Sequence, residues 1–131
     1  MKELKFRVWD IERECYLNET ELAGITPDGK YIWYIEEEEI SKLEIEGNYV
    51  LEQYTGLEDK NGKEVYEGDI VKIQNTTAIL PYEYITDGTP IYYEHGAFRF
   101  NAGKGEYLIP DEMFMEVIGN IHENADLLEK K

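Results

Sequence analysis

Residues 52–75 read EQYTGLEDKNGKEVYEGDIVKIQN, and this stretch constrains the fold more than any other. Glycines stand at positions 56, 62 and 68, with Asp59 shortly before the second and Asp69 directly after the third. One reading is an ion-binding loop. A calcium loop needs oxygen ligands at positions one, three and five and a glycine at six. Setting Gly62 at six puts Leu57 at one, where it cannot ligate, so that reading fails. Turn chemistry accounts for the same residues. Asn61-Gly62 is a strong hairpin signal because both residue types tolerate positive φ. Asp59 can accept from backbone amides ahead of it. Gly68 permits a tight bend before the apolar run that contains Val71 and Ile73, and Asp69 can tie that bend back. Gly56, Asp59, Gly62, Gly68 and Asp69 are therefore expected to shape backbone corners between strands.

Strand signals run through the rest of the chain. In LKFRVWD, Leu4, Phe6 and Val8 alternate with Lys5, Arg7 and Trp9, the period-2 pattern of a half-buried strand. Pro27-Asp28-Gly29 reads as a turn, and KYIWYIE after it puts Tyr31, Trp33 and Ile35 on one face. The acid run Glu36–Glu39 reads as a solvated strand end or short loop. SKLEIEGNYVLEQY reads as two strands joined by a tight hairpin at Gly47-Asn48. TTAILPYEYITDGTP is strand-like but interrupted by Pro81, which points to an edge, a bulge or a long loop. PIYYEHGAFRF reads as strand, turn at His95-Gly96, strand, and NAGKGEY as a hairpin tip. Two more apolar stretches flank Pro110-Asp111. The one helical signal is ENADLLEKK, with Asn124 as its cap, Asp126 in its first turn and Lys130 and Lys131 at its end.

Composition narrows the function classes. The 131 residues include 29 acids against 13 lysines and arginines, a net charge of −16. Residues 1–50 hold 13 acids and 6 bases, and residues 51–131 hold 16 and 7, so no detachable acidic tail exists. Such a surface repels phosphate backbones and suits basic proteins or metal ions. One cysteine, Cys15, excludes an internal disulfide and fits a reducing cytoplasm. The charged, alternating start holds no signal-peptide core, and no apolar run approaches the roughly 18 residues of a membrane span. Cys15, His95 and His122 cannot build a zinc site, and Cys15 has no local nucleophile motif. No catalytic, cofactor-binding or metal-binding constellation emerges. Aromatics on both faces of short strands, at Tyr31, Trp33, Tyr34, Tyr92 and Tyr93, point instead to a surface for a partner or for a second copy of the chain.

The central block QYTGLEDKNGKEVYEGDIV resembles the signature of the YopX family, small proteins of temperate phages and prophages of Gram-positive bacteria. KFRVWD resembles that family's opening Arg-x-Trp-Asp, and EVIGNIHENADLL its closing Val-Ile-Gly-Asn-Ile-x-Glu-Asn. Arg7, Trp9, Asp10, Gly56, Leu57, Asp59, Gly62, Gly68, Asp69, Gly119 and Asn120 match these motifs. Cys15-Tyr16 departs from a methionine common in the family, and His122 from an aromatic. The resemblance implies a small, partly open barrel or roll of the Src-homology type and carries no established activity. The fold expected is mainly β: an N-terminal β extension over residues 1–50, then a barrel-like domain over 51–131 ending in a short helix. The function expected is that of a cytoplasmic phage or prophage accessory protein, non-enzymatic and self-associating, which binds another protein. The alternative is a nucleic-acid-associated protein, or an acidic mimic of DNA that occupies a basic host protein.

Overall fold

The computed structural model describes residues 4–18, 21–75, 84–102 and 105–128. Among them the chain is mainly β, with thirteen strands and two single turns of 3-10 helix. It divides into two compact units, Lys5–Glu52 and a second made of Gln53–Lys131 with Met1–Leu4. The division falls inside one strand, Tyr49–Glu58, two residues beyond the boundary read from the sequence. No helix among the described residues is long and apolar enough to cross a membrane.

The N-terminal unit holds β1 (Phe6–Asp10), β2 (Cys15–Tyr16), β3 (Gly24–Ile25), β4 (Tyr31–Glu36), β5 (Glu39–Glu44) and the start of β6 (Tyr49–Glu58). β1 lies between β2 and β6, and β3, β4 and β5 form an antiparallel sheet in that order. Val8, Ile32 and Ile45 are its buried core, with Leu17, Leu22, Ile25, Tyr49 and Leu51 packed around them. Each fully buried side chain of this kind contributes about 1.5–3 kcal/mol, so a core this small depends heavily on its turns. Simple alternation holds for Val8 in β1 but not for its end. Trp9 and Asp10 are buried as well, Trp9 because the Tyr16 ring meets it edge-on at 4.9 Å.

Three turns shape this unit. At Pro27-Asp28-Gly29, Asp28 Oδ1 accepts from the Thr26 hydroxyl and from the Lys30 amide, and Gly29 takes φ of 72°. These bonds, the hydroxyl first, hold the Asp28 carboxyl below its usual range. The acid run closes a tight hairpin. Glu36 pairs with Glu39, while Glu37 and Glu38 between them take φ of 49° and 69°. Two-residue turns of this hand favour Asn-Gly, so glutamate occupies both positions against its own preference. Gly47-Asn48 is a turn too, but not the hairpin expected. β5 and β6 belong to different sheets, and the turn carries the chain between them, with the Asn48 carbonyl accepting from Ile11 N–H.

The C-terminal unit continues β6 and adds β7 (Glu64–Tyr66), β8 (Asp69–Asn75), β9 (Tyr84–Pro90), β10 (Tyr92–Glu94), β11 (Ala97–Ala102), β12 (Gly105–Leu108) and β13 (Met115–Asn120). Two three-stranded antiparallel sheets, β13-β8-β9 and β10-β11-β12, curl around one core, giving a small, partly open barrel. That core is Val65, Val71, Ile73, Ile91, Phe98, Phe100 and Met115. Ile70 is buried as well, so the start of β8 is covered on both faces. The turn at His95-Gly96 has φ of 52° and 78° and joins β10 to β11. Pro81, Lys104, Lys130 and Lys131 lie outside the described residues.

The 52–75 stretch is organised by one carboxylate. Asp59 is 4% exposed. Its Oδ1 accepts from the amides of Asn61 and Lys63, both at 2.9 Å, and its Oδ2 from the amide of Val117 at 2.9 Å. Val117 lies 58 residues further along the chain, in β13. The Lys60 amide adds a second link, donating to the Met115 carbonyl. Asn61 does not share the positive φ of Gly62 (84°), so the turn differs from the Asn-Gly hairpin read from sequence. It is a four-residue turn, Gly62 N–H to Asp59 carbonyl, with glycine in the left-handed position where the strand restarts. At the next corner Gly68 takes φ of 84° and Asp69 Oδ2 accepts from Tyr66 N–H at 2.8 Å.

The closing helix is a single 3-10 turn, Ala125–Leu127. Asn124 occupies its N-cap position without a side-chain cap bond. Its Oδ1 turns back instead to accept from Asn120 N–H. Gly119 makes room for this, since a Cβ there would sit 2.6 Å from that oxygen.

Burial by itself would raise the Asp59 pKa, but the Val117, Lys63 and Asn61 amides outweigh it and hold the carboxyl below its usual range. A lowered folded pKa stabilises in full above about pH 4, the ordinary aspartate value, and that contribution is lost as pH falls through the folded value. Asp59→Asn puts an amide group against one of these donors and should cost about 2–4 kcal/mol in urea unfolding at pH 7. The gap from the natural chain should close below pH 4. In the N-terminal unit, replacing Glu37-Glu38 by Asn-Gly should gain about 0.5–1.5 kcal/mol. Both tryptophans, Trp9 and Trp33, lie in that unit, so their fluorescence reads its transition directly. An unchanged midpoint would show that the glutamates carry no strain.

Candidate functional site

The N-terminal unit carries two adjoining clefts, and their walls begin with the loop after β1. Asp10 ends that strand. Its Oδ1 accepts from the Arg13 amide (3.1 Å) and its Oδ2 from Arg13 Nε (2.9 Å), so main chain and side chain of one residue close the loop. Arg13 Nη2 also pairs with Glu21. Glu21 Oε1 in turn accepts from Asn18 N–H while Asn18 Oδ1 accepts from Glu21 N–H, both at 3.2 Å, a reciprocal pair that fixes the acid in place. The electrostatics follow this geometry. The Arg13 amide, foremost, holds the Asp10 carboxyl low, the Asn18 amide does the same for Glu21, and the two acids raise the Arg13 guanidinium.

The first cleft has a volume of about 350 Å³. Asp10, Arg13 and Glu21 line one side, with Leu17 and Ile32 beside them, and β4 supplies Tyr34, Ile35 and Glu36. The second, of about 340 Å³, shares Asp10, Leu43 and Tyr49 with the first. Its other walls are Ile11, Glu12, Glu44 and the Gly47-Asn48 turn. Tyr49 is pushed up in pKa by burial and then by the Asp10 charge, so its hydroxyl stays neutral. The lining is thus acidic and aromatic, with an aliphatic floor.

Beside this region Arg7 and Trp9 meet around Tyr16. Arg7 Nε and the Tyr16 hydroxyl both reach Glu52 Oε1 at 2.8 Å, and the Arg7 guanidinium lies 4.6 Å from the Tyr16 ring centre. Glu52 is 3% exposed, and its paired, hydrogen-bonded burial is what such a charge requires. Cys15 sits half-buried in β2. In the C-terminal unit, Asn120 Oδ1 accepts from the His122 and Glu123 amides, beside the close contact of Gly119 with Asn124. Gly56 takes φ of 89° where the β6–β7 register shifts. None of Gly56, Asp59, Gly62, Gly68 and Asp69 lines either cleft.

The five aromatics singled out in the sequence fall in different places. Tyr31 and Trp33 share one face of β4, opposite Glu44 and Lys42 of β5, with the Lys42 ammonium 5.2 Å from the Tyr31 ring centre. The Trp33 indole packs over Gly24, where a Cβ would lie 2.3 Å from Nε1. Tyr34 points to the other face and lines the first cleft. Tyr92 and Tyr93 belong to the C-terminal unit. The Tyr92 hydroxyl donates to Glu106 (2.6 Å) and lies 2.9 Å from Asn101 Oδ1; burial and the Glu106 bond push it up to about 12. Tyr93 is exposed and meets Phe98 edge-on at 5.1 Å. The sequence reading passed over Arg13, Glu21 and Tyr49. The Asn18-x-x-Glu21 spacing was a local signal for part of this, since such a pair bonds reciprocally. Among the described residues no group of three or more His, Cys, Asp or Glu is placed to hold a metal ion.

Comparisons with known proteins fit this architecture. The chain is similar in structure to protein EF1440 from Enterococcus faecalis, with 29% identity, a TM-score of 0.66, and 98% of this chain and 100% of that one covered. Protein yopX from Bacillus subtilis shares the fold at 23% identity and a TM-score of 0.65, over 98% of this chain and 100% of the other. No curated protein matches the sequence. The family model described as YopX protein matches residues 5–129, nearly the whole chain, and the chain belongs to that family.

Proposed function

We propose that this chain is a non-enzymatic interaction module, which self-associates through the outer face of β4 and β5 and binds a basic partner protein. The observation that carries the reading is a cross-strand pair. Ile35 and Ile40 stand directly opposite one another and are 58% and 72% exposed, in register with Tyr31 and Trp33, with Ile35 at the strand end also bordering the first cleft. A contiguous apolar strip left in water is a feature of interaction surfaces. A second copy fits it, because the strip can pack against its own counterpart, and the acid run beside it makes that contact sensitive to salt.

Charge supports the basic partner. Residues 5–52 hold 13 acids against Lys5, Arg7, Arg13, Lys30 and Lys42, a net of −8. Arg7, Arg13 and Lys60 are already engaged by Glu52, Asp10 and Glu116. Direct nucleic-acid binding is disfavoured for that reason, and the remaining form of that reading is an acidic mimic that occupies a nucleic-acid-binding protein. A phage or prophage accessory protein in a bacterial cytoplasm would meet many such basic proteins.

The two contacts should respond oppositely to salt. Copies that each carry −16 repel, so self-association should strengthen as salt screens them, whereas a complex with a basic partner should weaken. Light scattering on a sizing column at 50 and 300 mM NaCl should show an oligomer, larger in population at the higher salt, and Ile35→Lys/Ile40→Lys should be monomeric. A strict monomer at every concentration and salt would remove self-association. Capture from bacterial lysate should retain basic proteins that high salt releases; retention of acidic proteins alone would overturn the partner claim.

A further inference from the structure

The two clefts of the N-terminal unit carry the basic-partner reading to the level of side chains. We infer that they take neighbouring arginine or lysine side chains from an extended basic segment of that partner, one in each cleft, with Tyr49, Asp10 and Leu43 as the ridge between. This inference rests on the reading above and specifies where the partner is held.

Charge complementarity comes first. Asp10 and Glu21 are occupied by Arg13, which leaves Glu36 in the first cleft and Glu12 and Glu44 in the second without an ion-pair partner among the described residues. Each cleft therefore presents uncompensated negative charge of its own. Shape and chemistry agree. Volumes of about 350 and 340 Å³ hold a long basic side chain with room for water. The aliphatic stem of such a side chain lies well on the exposed Leu43, common to both clefts, and its charged head on tyrosine rings is favoured by about 0.5–2 kcal/mol. The neutral Tyr49 hydroxyl at the ridge can accept a hydrogen bond from either guest. Arg13 already shows how this lining holds a guanidinium, through two carboxylates fixed from behind by backbone amides.

Any polycation is drawn to a chain of −16, so the test must separate the clefts from the general field. The probe is a fluorescein-labelled peptide of alternating arginine and glycine, followed by anisotropy at 150 mM NaCl. Glu36→Gln/Glu44→Gln should weaken binding about tenfold, the usual worth of about 1.4 kcal/mol. Leu43→Arg, which fills the ridge with a cation of its own, should do at least the same. Glu94→Gln/Glu112→Gln removes equal charge from exposed sites of the C-terminal unit and should change affinity less than about twofold, as surface charges do. Equal losses in the two double variants would overturn the inference in favour of diffuse attraction. Spermidine that competes as well as the peptide, charge for charge, would overturn it in favour of a small polyamine. If Leu43→Arg loses the peptide yet still captures basic proteins from lysate, the clefts fail while the interaction reading stands. If the natural chain binds neither, both fail.

Discussion

A single buried carboxylate sets the geometry of the C-terminal unit. Asp59 ties its own turn through the Asn61 and Lys63 amides and reaches β13 through the Val117 amide. Three charge-assisted bonds to one group, each stronger than a neutral hydrogen bond, offset the cost of burying it. The consequence is topological. The β6–β7 turn and β13 are remote in sequence, and the Asp59–Val117 bond, with the Lys60–Met115 backbone bond beside it, fixes their relative register. Gly62 and Gly68 complete the arrangement by taking backbone angles that the following strands need.

The N-terminal unit solves the same problem with less core. Val8, Ile32 and Ile45 cannot specify much alone, and polar locks do the rest: Asp10 on Arg13, Asn18 on Glu21, Glu52 on Arg7 and Tyr16. These locks consume two of the unit's five cations, Arg7 and Arg13. What remains facing water is mostly acid, with Lys30 and Lys42 among it, two tyrosine-edged clefts and the Ile35–Ile40 pair. Structure and surface character are thus linked, because the bonds that hold the loop after β1 also leave the surrounding acids uncompensated.

Much of this was legible in the chain itself. The Asp59, Asp69 and Pro27-Asp28-Gly29 turns rest on side chains that bond within a few residues, and the His95-Gly96 hairpin on two residue types that tolerate positive φ; such signals are local. The Asp59–Val117 bond was not legible, since nothing near either residue announces a partner so distant. Glu37 and Glu38 were hidden for the opposite reason: their local preference argues against the turn they make, and the pairing of β4 with β5 overrides it. Gly47-Asn48 gave a true turn, but whether flanking strands pair is decided by the sheets around them. Asn124 had a local helix signal, and the missing Cβ of Gly119 drew its side chain elsewhere. The clefts were half visible. Asn18-x-x-Glu21 could be read, whereas Tyr34, Leu43 and Tyr49 converge from three strands, which spacing alone does not report.

Native-state amide exchange tests the central interaction most directly. If the Asp59 carboxylate joins the turn to β13, the amides of Asn61, Lys63 and Val117 should exchange slowly with one shared opening free energy, and Asp59→Ala should release all three together. Fast, independent exchange at Val117, with the turn amides still protected, would contradict the account.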